Sequence, residues 1–358
     1  MPIPTELIGS IPRPNYLLEA AQNFRAGKTT QEKLDESYNQ AVRETIEQLE
    51  ATGSPVLSDG EQTKSSFATY PLLGIENLDP KGVVIPFADG HTRQLPKLTS
   101  GPFHFGIHAG AYVKAAKRYT NKPLKQAVIT ASALSLLYPS EEIQGYDRKS
   151  FLKDLVAEAV ADIRDCFDRG AYKVQLDFTE ARLSIKLDPS KQLLQQFIHL
   201  NNQVLEHFSS EERQRIGVHT CPGGDCDSTH SADVHYEELV PHLFQLNVGN
   251  FYMQLASEKN PEKTLKVIKE NLKAGQRIFV GVIDVLNPEV EDPETVKERI
   301  LCAADYIPLS QLGTTDDCGF SPFEDDTSTG RETAFSKIRS RVLGTQLAER
   351  ALGSRKGM

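Results

Sequence analysis

The sequence predicts an α/β fold: a (β/α)8 TIM barrel with an inserted loop and hairpin region near residues 62–120. Three observations predict it. From residue 124 onward, short apolar runs alternate with helical patterns of 10–20 residues, the mark of parallel βαβ units. Several apolar runs end in polar or reactive residues: Asp59, Glu61, Asp177, His219, Asp284, Asp317 and Cys318. In a barrel all strand C-termini open on one face, where active sites are built. The competing doubly wound sheet would carry GxGxxG after its first strand, and none follows here.

The elements follow in order. Residues 31–52 place Leu34, Tyr38, Val42, Ile46 and Leu49 near helical spacing, and Gly53 stops that helix. The short apolar strand in SPVLSDGE comes next. Residues 62–120 are rich in Gly and Pro and poor in helical pattern, which suits loops and a hairpin covering one face of the core. LKQAVIT then reads as a buried strand. A helix over 147–169, capped by Asp147, ends at Gly170 before the strand AYKVQLD. Helices are expected over 189–208, near 235–244, and over 261–274, 292–304 and 331–352. The strand segments RIGVHT, VGNFYMQLA, RIFVGVID and YIPLSQLGTTDDCGF follow the first four of these.

The chain has 358 residues, 39% hydrophobic and 25% charged, and is expected to form one barrel spanning 1–358. Net charge is −9 and the 40 Lys and Arg are scattered, which argues against a nucleic-acid partner. No stretch reaches the ~18 apolar residues of a membrane span. The start, MPIPTELIGSIPRP, lacks a basic n-region and a long apolar run, so no signal peptide is expected. Five cysteines, an odd number, fit reduced thiols or metal ligands better than a disulfide framework, and a cytoplasmic location is expected.

His219 and Cys221 in GVHTCPGGDC, with Cys318 in GTTDDCGF, offer one imidazole and two thiolates, a donor set that suits zinc. An i, i+2 pair at a strand end points to one side, and flanking glycines let backbone come close. Three protein ligands leave a tetrahedral position open to a substrate atom, and a sulfur-rich site suits a substrate thiol held as thiolate. The plainer reading is buried cysteines acting as small hydrophobes. Cys226, His230, His235 and His242 lie nearby as alternative ligands, though they suit loop and helix surfaces better. Glu61 and Asp177 can hold an ammonium group, act as acid and base, or cap the next helix. Gly9 and Ser10 can present a backbone N–H and a hydroxyl to an anion, or simply form a turn before Pro12 and Pro14.

LIGSIPRP, VLSDGEQ, VQLD, VHTC and DDCGF occur in that order across roughly residues 5–350. The series resembles the catalytic barrel of cobalamin-independent methionine synthases, and more closely the short single-barrel proteins grouped with them. The resemblance implies that His219, Cys221 and Cys318 are zinc ligands. It implies that Glu61 and Asp177 hold the substrate ammonium, and that Ile8 and Ser10 meet its carboxylate. It also implies partners: a small-molecule thiol, homocysteine, and a methyltetrahydrofolate-type or other methyl donor.

The chain departs from the family pattern at the fourth ligand position and in the half that would hold a folate. Gln254 stands where the family has a fourth ligand, a glutamate, so this position falls to the amide, to water or to substrate. Leu286 replaces a histidine associated with the catalytic step. No Trp exists to support a pterin, and Phe178 replaces the glutamate of the IDEP motif. Asp284 and Glu180 are the candidate acids for protonating a leaving group. The main expectation is homocysteine S-methylation. The alternatives are a thiol alkyltransferase or lyase like the epoxyalkane:coenzyme M transferases, and a non-catalytic zinc-binding barrel.

Overall fold

A computed structural model describes residues 2–355. The expected 1–358 span reaches outside these at Met1 and at 356–358. Six strands form one parallel sheet: Lys125–Ile129, Lys173–Asp177, Ile216–Thr220, Asn250–Met253, Arg277–Ile283 and Leu312–Asp316. They neighbour one another in chain order. Each is buried along nearly its whole length, as a parallel sheet covered by helices requires.

The remaining two barrel positions are single bridges. Thr5 pairs in parallel with Thr314 on one edge, and Leu57 with Leu124 on the other. The two bridge segments meet: Ile11 N–H donates to the Gly60 carbonyl at 3.0 Å, and the Ser58 hydroxyl to the Gly9 carbonyl at 2.8 Å. The eight positions therefore run in chain order around a closed barrel.

Period-2 alternation sends one set of side chains inward. Lys173, Gln175 and Asp177 alternate along one strand, and Asp177 stands in register with His219, His219 with Tyr252, and Tyr252 with Phe279. Ile8, Tyr252 and Phe279 form a small apolar cluster separate from the main core, with the two rings stacked at 4.6 Å. Below it, Glu6 accepts from Lys173 Nζ at 2.7 Å and from the Tyr252 hydroxyl at 2.5 Å. Lys125 lies 3.9 Å from Glu6 and over the Tyr252 ring. Burial alone would raise the Glu6 pKa, but Lys173 and Lys125 hold it below its ordinary value. The same burial pushes Lys125 down to about 7.

The helices match the expected series with one division. The pattern over 189–208 is only the second of two helices, Glu180–Leu187 and Gln192–Leu205. Lys191 adopts φ +63°, and Asp188 accepts from Leu193 N at 2.8 Å, so the chain breaks and restarts there. Thr30 and Asp147 cap the Gln31–Ala51 and Arg148–Asp168 helices. A helix over Asn15–Arg25, which starts directly after Pro14, is not among those expected; it is amphipathic and packs Leu17 and Ala21 against Leu34 and Ala41. Residues 62–120 hold two short antiparallel pairs, Leu78–Asp79 with Lys97–Leu98 and Val84–Pro86 with Thr92–Gln94. They also hold a short helix, Gly110–Ala116, that the loop expectation missed.

Glu6 is the only carboxylate within 4 Å of Lys125 and Lys173 among the described residues. Glu6→Gln leaves two buried ammonium groups without a countercharge, and the expected cost is about 3–5 kcal/mol of stability in urea unfolding. Adding Lys125→Met and Lys173→Met should recover most of that loss.

Candidate active site

The C-terminal ends of the strands and the loops above them enclose a cavity of about 600 Å³. His219 ends one strand, Cys221 follows it by two residues, and Cys318 follows the last strand. The fold brings the three together: one ligand atom from each lies within 4.8 Å of the other two. The Cys221 and Cys318 sulfurs are 3.1 Å apart, and both cysteines are free.

The imidazole is oriented for coordination. His219 Nδ1 lies 3.4 Å from the Tyr252 carbonyl, which selects the tautomer with its lone pair on Nε2. Nε2 is buried without a hydrogen-bond partner. Such an orphaned acceptor beside two sulfurs is the local signature of a missing ligand partner. The Cys318 thiol donates to Cys221, and this bond, with the nearby His219, holds the Cys221 pKa well below its ordinary value. Gly223, at φ +72°, donates its N–H to the Cys221 sulfur at 3.3 Å. A Cβ on Gly223 would collide with His230, so the turn requires glycine.

Gln254 is placed one step beyond Met253, which pairs with Thr220, so it stands at the level of Cys221. Its Nε2 donates to Ser257 Oγ at 2.8 Å, while its Oε1 is buried and unpartnered. Asp317 braces this corner. It accepts from the backbone N–H groups of Leu255, Ala256 and Ser257 at 2.8–2.9 Å, and from the Ser257 hydroxyl at 2.6 Å. One carboxylate thus ties the Gln254 turn to the residue before Cys318. A soft divalent ion fits the donor set of one imidazole and two thiolates.

Ile8, Ser10, Glu61 and Asp177 line the same cavity as His219, Cys221 and Cys318. Ser10 accepts from Ser321 N at 3.2 Å, and Gly319 packs so closely on Ser10 that a Cβ there would lie 2.1 Å from its oxygen. The first loop is thereby locked to the Cys318 loop. Asp177 accepts from Gln175 Nε2 at 2.8 Å, and burial pushes its pKa up to about 6, with His219 opposing and Glu61 adding to the rise.

Glu61 has an intramolecular partner that motif reading missed. Lys64 Nζ lies 3.2 Å from Glu61 Oε1 and donates to the Ala127 carbonyl at 2.9 Å. The signal was present as i, i+3 spacing in GEQTK. Arg13 was also missed. It donates to the carbonyls of Glu61 and Lys64 at 2.8 Å and to the Ser321 hydroxyl at 3.1 Å, joining three loops.

The two candidate acids part company. Glu180 lines the cavity and is buried, and burial pushes its pKa up to about 7. Asp284 does not line the cavity; its carboxylate caps Leu286 N at 3.0 Å. His230 lines the cavity but bonds Ser231 at 2.6 Å, and Cys226 is exposed, paired with Asp225. His235 and His242 belong to the Tyr236–Leu243 helix and its start.

The inserted hairpin forms one cavity wall. Ile85, Phe87 and Arg93 line it, and Ala88 N–H donates to the Thr229 carbonyl at 3.0 Å. Phe87 sits between His91 and His230. Arg93 bridges Asp225 and Asp325 and so joins the hairpin to both ligand-bearing loops. Among the described residues, no helix is long and apolar enough to cross a membrane.

Comparison with known proteins gives matches over nearly the whole chain. Residues 3–339 match the family model described as cobalamin-independent synthase, catalytic domain. A methionine synthase of Sulfurisphaera tokodaii is 23% identical over 350 residues, covering 98% of this chain and 94% of that protein. One from Sulfolobus acidocaldarius is 25% identical over 351 residues, covering 98% and 93%. The solved structure of a B12-independent methionine synthase from a Shewanella species, in complex with selenomethionine, superposes with a TM-score of 0.77. It shares 18% identity and covers 99% of this chain and 100% of its own, a likeness of fold. With the match to the family model spanning the strands and loops that build the cavity, the chain belongs to the cobalamin-independent methionine synthase family through its catalytic domain.

Proposed function

We propose that this chain is a zinc-dependent methyltransferase that methylates the thiol of homocysteine to give methionine. The observation that carries this reading is the convergence of two sets of residues on one cavity. His219, Cys221 and Cys318 form a soft cation site, and Glu61, Asp177, Ser10 and Ile8 lie within reach of the amino-acid end of a bound thiol. A zinc ion bound there would supply the Lewis acidity that brings a thiol pKa from ~8.5 to below neutrality.

The remaining work falls to the chain's own groups. Asp177 and Glu61 attract the substrate ammonium, and Lys64 keeps the Glu61 carboxylate aimed by holding one of its oxygens. The Ser10 segment faces the carboxylate. Tyr252 and Asp317 keep the ligand residues in place through the imidazole and the Cys318 loop. The substrate sulfur then forms a bond to the methyl carbon as the carbon–donor bond breaks. Two carboxylates at the substrate end favour an ammonium-bearing thiol over a sulfonate such as coenzyme M, which they would repel. Five free cysteines suit work in the reducing cytoplasm.

The protein should bind one zinc ion, measured by competition with a chromophoric chelator. His219→Ala, Cys221→Ser and Cys318→Ser should each abolish high-affinity binding, and Asp317→Asn should weaken it ~10–100-fold by loosening its brace. Wild-type affinity in Cys318→Ser would refute the metal site.

Calorimetry of the zinc-loaded protein should show homocysteine binding with proton release, and none after chelation. Asp177→Asn should weaken that binding ~10-fold or more, the scale of a lost charge-assisted contact. Tighter binding of coenzyme M than of homocysteine would overturn the assignment of substrate.

A further inference from the structure

The cavity has a second half that the thiol reading leaves unused. Its wall is apolar, built from Phe67, Ile85, Phe87, Leu134, Leu136 and Leu183. Arg25 and Arg93 are the only Lys or Arg side chains on the cavity among the described residues, and both are engaged, with Glu324 and with Asp225 and Asp325. An anionic donor therefore meets no free cation there.

One carboxyl interrupts this wall. Glu180 is 5% exposed, and its two oxygens are treated differently. Oε1 accepts from the Thr130 hydroxyl at 2.6 Å and from the Ser132 hydroxyl at 2.5 Å. Asn201 fixes Ser132 from behind: its Nδ2 donates to the Ser132 oxygen at 2.8 Å, and its Oδ1 accepts from Ser132 N at 3.2 Å. Oε2 is buried with no partner at all. Two donors on Oε1 make it the acceptor oxygen, so the proton of the neutral acid belongs on Oε2.

We propose that Glu180 is the proton donor to the leaving group of the second substrate, a neutral and largely apolar alkyl donor whose leaving atom is an oxygen or nitrogen. This rests on the thiol-activation reading above. In the step, the substrate sulfur forms a bond to the donor carbon, and the carbon–oxygen or carbon–nitrogen bond breaks with its electron pair on the leaving atom. That atom takes the Oε2 proton, and the Glu180 carboxylate is reprotonated from solvent. Geometry and charge agree. Burial, with the Asp177 carboxylate adding to it, keeps the acid protonated up to about pH 7. The three side chains that position it, from Thr130, Ser132 and Asn201, are all uncharged.

The test compares two probes on zinc-loaded protein with homocysteine. Opening of epoxypropane demands a proton for the departing oxygen, whereas alkylation by methyl iodide demands none. The ratio of the two rates isolates the acid from the thiol. In wild type this ratio should fall tenfold per pH unit above about 7. Glu180→Gln keeps the acceptor for Thr130 and Ser132. It should lower the ratio ~10²-fold at neutral pH and flatten its pH profile, the scale of a lost general acid. Infrared spectra of metal-free protein should show a protonated carboxyl band titrating near pH 7 that is missing from Glu180→Gln. An equal loss with both probes, an unchanged ratio, or an absent band overturns the proposal. If wild type accelerates neither probe over free homocysteine, the thiol-activation reading fails, and this proposal fails with it.

Discussion

Glu6 sits inside the barrel between Lys173 and Lys125, and the placing of the N-terminal segment follows from that ion cluster. The segment has only one bridge to the sheet, Thr5 to Thr314, and so lacks the ladder that holds an ordinary barrel strand. Charge supplies what the ladder does not. Arg341 of the last helix adds a second clamp by pairing with Asp316 and donating to Thr5 Oγ1 at 3.1 Å. Both contacts lie in a dry interior, where opposite charges attract strongly and where loss of one partner strands the other. Ile8 and Ser10 follow two and four residues after Glu6, so their approach to Cys318 depends on this closure.

The cavity above that closure is divided by chemistry. One end gathers ligand atoms and carboxylates, each braced from behind: His219 by the Tyr252 carbonyl, Cys318 through Asp317, Glu61 by Lys64. The other end is apolar and is walled by the inserted hairpin, which Arg93 ties to both ligand-bearing loops. The polar end thus faces an apolar space. The departures from the family pattern fall on both sides: Gln254 stands beside Cys221, while the Trp is missing from the strand end near Glu180. Phe178 is fully buried in the core, and the strand end that would carry a Trp instead offers Thr130 and Ser132 to Glu180.

Much of the fold was legible because parallel barrel strands are buried on both faces and write themselves as short apolar runs between amphipathic helices. The cluster of His219, Cys221 and Cys318 was legible because these residues stand at or just past the ends of such runs. Lys64 and Arg13 were harder to read for one shared reason: each acts on backbone brought near by other segments. The Glu180–Leu187 helix was missed because it is short and ends where Asp188 and Lys191, a cap and a left-handed residue, start the next one. Asp284 had the same strand-end placing as Asp177, yet its carboxylate turns back on its own loop to cap Leu286.

By itself the sequence determined the alternation of strands and helices, the order of the motifs, and which side chains stand at strand ends. Those are properties of local periodicity and residue chemistry. The tertiary structure alone decided that residues almost a hundred positions apart share one cluster, and that Gln254 reaches the level of Cys221. It also decided that Glu180 faces the cavity while Asp284 does not. The reason is that register and barrel closure set these distances, and both arise from contacts between segments that no stretch of sequence contains.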